Sequence, residues 1–155
     1  MKDVIGLIIS YLRTYGVEED RIKIKDGYIE THFKTQVINV KTGKVITGDM
    51  PIYFVPTGDW LKIIAPIMSL SSIPEDMDKE KFYLDILKAN TSSPELNFGV
   101  DKQNNTLVLY AWIYLSALSY ENFASELAGM MSGIVEFLGR ILPNYPKLEK
   151  ALSSS

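Results

Sequence analysis

The segment "NTLVLYAWIYLSAL", residues 105–118, limits the fold more than any other stretch of the chain. Side chains of a β-strand alternate between two faces, so a half-buried strand shows apolar residues on one side and polar ones on the other. Here one side carries Leu107, Leu109, Ala111, Ile113 and Leu115, and the other carries Val108, Tyr110, Trp112 and Tyr114. Neither side looks wet. Such a strand belongs in the centre of a sheet covered on both faces, or at a surface that something else covers. The neighbouring segment "WLKIIAPIMSL" would align Trp60, Ile64 and Met68 with the aromatic row.

The rest of the chain supplies the other elements. Val4, Ile5, Ile8, Ile9 and Leu12 recur at helical spacing and Gly16 marks a stop, which predicts an amphipathic helix over residues 2–15. A β-rich part follows to about residue 70. Asp26-Gly27 lies between "RIKIK" and "YIETHF" and is a strong hairpin signal, a second turn falls at Thr42-Gly43, and "PTGD" punctuates before Trp60. In "SSIPEDMDKEKFYLDILKAN", Ser72 and Glu75 form a capping box with Pro74 in the first turn, predicting a helix over 74–90. The carboxylates Glu75, Asp76 and Asp78 then offset the helix dipole. "ELNFGV" and "TLVLYAWIYL" pair across the polar turn "DKQNN", and a last helix starts near Ser119 with Phe123, Leu127, Met130, Met131, Ile134, Leu138 and Ile141 on one face.

The predicted class is α+β, an antiparallel sheet of about five or six strands with three helices, in the order α-β(3-4)-α-β-β-α. Residues 1–142 are expected to form one domain, and 143–155, after Pro143 and Pro146, an irregular or flexible tail. The first and last helices are expected to share the core face of the sheet.

Composition removes much chemistry. No cysteine is present, so disulfides, thiolate metal sites and cysteine nucleophiles are excluded, in keeping with a cytoplasmic protein. The apolar run after Asp3 spans nine residues without a cleavage signal and is too short for a membrane span. A net charge of −3 disfavours nucleic acid as a partner. Arg21, Lys23 and Lys25 share a strand face whose simplest role is to guard a sheet edge. His32 is the only histidine, so neither a triad nor a histidine-rich metal site can be built. Glycine-rich phosphate loops, nucleophile elbows and zinc-protease helices are missing. Asp49, Asp59, Glu30 and Asp101 could act as catalytic carboxylates only if the fold made them converge. Gly129 and Gly133, four apart, fit close packing of a soluble helix on a sheet, since Glu126 and Glu136 stand on the same segment. No catalytic residue, cofactor or metal is assigned.

The long segment "YLDILKANTSSPELNFGVDKQNNTLVLYAWIYLSALSYENFASELAGMMSGIVEFLGRIL" resembles the carboxyl-terminal half of the type III secretion chaperone-like superfamily, which includes bacterial sensory-transduction-regulator-like proteins. The likeness in element order extends over roughly residues 1–141. It implies a small, acidic, non-enzymatic protein that forms a homodimer and holds an unfolded polypeptide client against apolar patches. The β-rich part between residues 20 and 60 is longer than the family pattern, by a strand or a hairpin.

Tyr110, Trp112, Tyr114, Trp60, Ile64 and Met68 are therefore the expected dimer or client surface. The competing expectation is that the middle helix covers them within one chain. A small-ligand regulatory domain is the second functional class, recognisable by an enclosed cavity among the aromatics. An enzyme is the third.

Overall fold

The computed structural model describes residues 3–154. In chain order its main elements are α1 (Val4–Tyr15), β1 (Ile22–Lys25), β2 (Tyr28–Ile38), β3 (Val45–Thr57), β4 (Trp60–Ser69), α2 (Lys79–Ala89), β5 (Phe98–Asp101), β6 (Thr106–Tyr114), α3 (Tyr120–Glu136) and α4 (Pro146–Ser153). The six strands make one antiparallel sheet in the order β1-β2-β3-β4-β6-β5. This is the α+β antiparallel class read from the sequence, with one helix more.

Local chemistry explains most boundaries. The Asp3 carboxylate accepts from the Gly6 N–H at 2.9 Å to open α1, and Gly16, at φ 106°, closes it in the left-handed conformation. The expected start at residue 2 lies outside the described residues. Lys25 pairs with Tyr28 across Asp26-Gly27, so β1 and β2 form the expected hairpin, and Thr57 pairs with Trp60 across the next tight turn. Short β1 lies at the sheet edge with Lys23 and Lys25 exposed, the guarding position anticipated for these lysines.

One side of the sheet holds the core. Ile29, Ile52, Phe54, Leu61, Ile63, Leu109 and Ala111 are buried there with Ile8 and Leu12 of α1 and Phe123, Leu127 and Ile134 of α3. The Phe54 and Phe123 rings stack at 5.5 Å, and Tyr11 of α1 sits 5.5 Å from Phe123. The first and third helices thus cover the same face. Gly129 and Gly133 make the approach close: a Cβ at Gly129 would lie 2.4 Å from the Glu95 carbonyl oxygen, and one at Gly133 would lie 2.4 Å from Leu109 Cδ2.

Two expectations need correction. The middle helix begins at Lys79, not at residue 74. Pro74 disfavours helical backbone at the residue before it, and Ile73 is extended at φ −71°, ψ 120°, so the Ser72 box cannot close. Asp78 caps instead, its carboxylate accepting from the Lys81 N–H at 3.0 Å.

The expected irregular tail contains α4. Pro146 occupies the first helical turn, where its fixed φ favours a start and not only a stop. Leu148 is fully buried, Tyr145 packs edge-on against Phe82 at 5.2 Å, and Lys147 Nζ binds Asp76 Oδ2 at 2.7 Å. These contacts tie α4 to α2 and the segment before it. Among the described residues, no helix is long and apolar enough to cross a membrane.

Candidate functional site

The aromatic row of β6 is uncovered. Tyr114 pairs with Trp60, Trp112 with Lys62, and Tyr110 with Ile64, so β4 and β6 present one continuous patch on the sheet face opposite the core. Trp60, Trp112 and Tyr114 keep 44%, 45% and 44% of their surface exposed. That is far above core values. The rings order one another: Trp60 meets Tyr114 edge-on at 5.1 Å and Trp112 at 6.4 Å. Lys62 Nζ lies 5.5 Å from the centre of the Trp112 ring.

The patch continues across the sheet. Glu30 pairs with Tyr53, Tyr53 with Ile64, and Ile64 with Tyr110, while the Tyr28 ring stands 6.2 Å from Tyr53. Tyr110 packs against Gly99 of β5, where a Cβ would come within 2.7 Å of its ring. Val108 is buried on this side, apart from the main core.

The middle helix does not cover these residues. Its buried side chains Phe82, Ile86 and Ala89 join the core, and Asn90 clamps its end to β5, donating to the Phe98 carbonyl at 3.1 Å and accepting from the Phe98 N–H at 2.6 Å. Phe98 packs toward Phe137 in the core, so α2 is held on the opposite side of the sheet.

Met68 does not belong to the patch. The register of β4 against β6 shifts between Pro66 and Met68, and Met68 falls opposite Leu107 in the core, 6% exposed. A bulge of one residue reverses the side on which every later residue points. Five of the six expected residues share the face.

Sequence reasoning missed two contributors. Lys62 pairs with Trp112 and sets its ammonium over that ring. Tyr53 extends the patch through its pairing with Ile64. Strand alternation could have found both once the order of strands was known.

The carboxylates considered for catalysis do different work. Asp49 accepts from Arg21 Nη1 at 2.9 Å, and this guanidinium holds its carboxyl below the usual carboxylate range. Glu30 lies 3.4 Å from His32 Nε2, and Asp101 braces the β5–β6 turn by accepting from the Gln103 N–H at 3.0 Å. Asp59 sits in the β3–β4 turn, its carbonyl accepting from the Leu115 N–H at 2.8 Å. Among the described residues, no three His, Cys, Asp or Glu side chains gather where a metal could be held. The aromatics line open surface depressions, one of them bounded by Lys62, Ile64, Gly99, Val100, Asp101, Val108, Tyr110 and Trp112.

A second exposed apolar strip runs along the outer side of α2. Tyr83, Leu84 and Leu87 point away from the core there. They are separate from the sheet patch.

Comparison with known proteins adds family and fold. A family model described as the Tir chaperone protein (CesT) family matches residues 52–138. No curated protein sequence matches the chain. Among solved structures, one described as the crystal structure of the ExsC-ExsE complex is similar at a TM-score of 0.52 and 17% identity, covering 90% of this chain and 93% of that one. Another, described as the structure of the HopA1-SchA chaperone-effector complex, is similar at a TM-score of 0.49 and 16% identity, covering 85% of this chain and 92% of that one. The likeness to the first is one of fold.

Proposed function

We propose that this chain, which belongs to the Tir chaperone protein (CesT) family, holds a segment of another polypeptide against the uncovered aromatic face of its sheet. Membership in a chaperone family fits a non-enzymatic, chaperone-like protein. The observation that carries the binding reading is the placement of both tryptophans of the chain, with Tyr110 and Tyr114, on a sheet face that no helix covers among the described residues. Large exposed aromatic patches on a folded chain mark surfaces that a partner buries. Tyr and Trp suit that use because their bodies are apolar and their tips can stay hydrated at the margin.

The protein acts as a homodimer in the cytoplasm on this reading. The outer strip of α2, Tyr83, Leu84 and Leu87, offers a pairing surface that leaves the sheet face free for the client. A complex is also what the printed description of the ExsC-ExsE structure names for that protein. A small-ligand domain fits less well, because its pocket should enclose the aromatics and these lie open.

The test is retention of a permanently unfolded, alkylated polypeptide by the wild-type protein and by a Trp112→Glu, Tyr114→Glu variant, with circular dichroism on both. Binding by the wild type and its loss in a folded variant supports the reading. Equal retention by both removes the aromatic face from it.

A further inference from the structure

The charges on the aromatic face differ in sign from the chain as a whole. Lys23 and Lys25 project from β1 beside Glu30 and Tyr28, Lys34 follows on β2, and Lys62 stands among the aromatics of β4 and β6. Among the described residues, none of these four lysines has a carboxylate within ion-pair distance. The acidic groups nearby are fewer than the lysines. Asp49 is paired with Arg21 at 2.9 Å, while Glu30, 3.4 Å from His32, and Asp101, which accepts from the Asn104 amide at 3.3 Å, have no Lys or Arg partner. Four lysines against these two carboxylates leave an excess of positive charge on this face, in a chain whose net charge is −3.

We infer that the segment bound on this face is acidic as well as apolar, with Asp or Glu alternating with aliphatic or aromatic residues along an extended chain. This rests on the polypeptide-binding reading above and specifies its partner. Tyr53, Ile64 and Tyr110 form one row across three adjacent strands, which Glu30 of β2 and then Lys23 of β1 continue to the sheet edge. Lys62 and Trp112 pair in the adjacent row. A segment laid over the patch thus meets apolar surface interrupted by cations, and partly desolvated charge pairs gain more than exposed ones.

The same charges argue against a second copy as the occupant. A two-fold contact sets a surface against itself, and this surface would bring its four lysines together with only Glu30 and Asp101 to meet them. Like-charge contact of that kind selects against the wrong partner. A nucleic acid would also find aromatics and lysines here, but an acidic chain repels a polyanion at longer range and weakens its approach.

The experiment is titration of the full chain with fluorescent peptides alternating valine with glutamate, serine or lysine, and with a single-stranded oligothymidine of equal length, read by anisotropy. The inference expects the glutamate peptide to bind about tenfold more tightly than the serine peptide. The difference should collapse near ~1 M salt, where charges are screened within about 3 Å. Lys25→Glu with Lys62→Glu should weaken glutamate-peptide binding by about tenfold and improve binding of the lysine peptide. Lys62→Gln, which removes the charge alone, should produce a smaller loss, with circular dichroism confirming the fold of each variant.

Equal, salt-insensitive binding of the glutamate and serine peptides overturns the inference while leaving the polypeptide-binding reading standing. Tighter binding of the oligothymidine overturns it in favour of a nucleic acid. No binding of any peptide overturns both the inference and the reading on which it rests.

Discussion

Lys62 on β4 pairs across the sheet with Trp112 on β6, and its ammonium nitrogen lies 5.5 Å from the centre of the indole ring. The contact keeps a cation on an apolar patch without a carboxylate partner. It also gives Trp112 a fixed neighbour, together with the edge-on ring of Trp60. The face is thus ordered before anything binds, which lowers the entropy that a partner must overcome.

Lys62→Met keeps the length of the stem and removes the charge. A cation-π contact at an exposed site contributes about 0.5–1 kcal/mol, so the variant is expected to lose no more than that. For a chain of this size the melting temperature should fall by about 2–4 °C at most. A larger drop in a thermal melt would mean that Lys62 supports the fold in another way.

Gly133→Ala tests the packing of α3 on the sheet. Its Cβ would meet Leu109 Cδ2 at 2.4 Å, and Leu109 is fully buried. Overpacking of this kind costs about 1–3 kcal/mol. Urea unfolding should show a lower midpoint with an unchanged slope. Gly129→Ala should cost at least as much, because the obstacle there is the backbone oxygen of Glu95.

Tyr145 makes the attachment of the C-terminal helix sensitive to alkali. Burial first, and then a hydrogen bond donated to Asp85, push its pKa well above the usual tyrosine value. A raised folded-state pKa contributes stability that is complete below the unfolded value, near ~10, and is lost as pH rises above it. Wild-type stability should therefore fall more steeply above pH ~10 than that of Tyr145→Phe. Burial also raises Tyr15 and Tyr53, so part of the decline should persist in the variant. Identical slopes in denaturant titrations over this range would contradict the assignment.

How far the sequence could be read depended on whether the signal was local. Asp26-Gly27 and Gly58 set hairpin turns by their own backbone preferences, and the apolar stripe of α3 follows from spacing alone, so these elements were legible. The start of α2 was misread because the effect of Pro74 on Ile73 outweighed an apparent capping box. Pro146 carried two meanings, and only the burial of Leu148 and Tyr145 against other elements decides that it opens a helix. At the candidate site, alternation placed Trp60, Ile64, Tyr110, Trp112 and Tyr114 correctly on one face. Met68 was lost to a bulge that alternation cannot announce. Whether a helix covered that face was a tertiary question, settled by the Asn90 clamp on β5.

The central claim is that the aromatic face is open in the free protein and is closed by a bound polypeptide. Both tryptophans of the chain stand on it, so quenching of intrinsic tryptophan emission by acrylamide reports on this face alone. The account predicts efficient quenching of both residues at every protein concentration, and shielding with a blue-shifted emission when the unfolded polypeptide is added. Tryptophans already shielded in the free protein, or unchanged quenching with polypeptide bound, would contradict it.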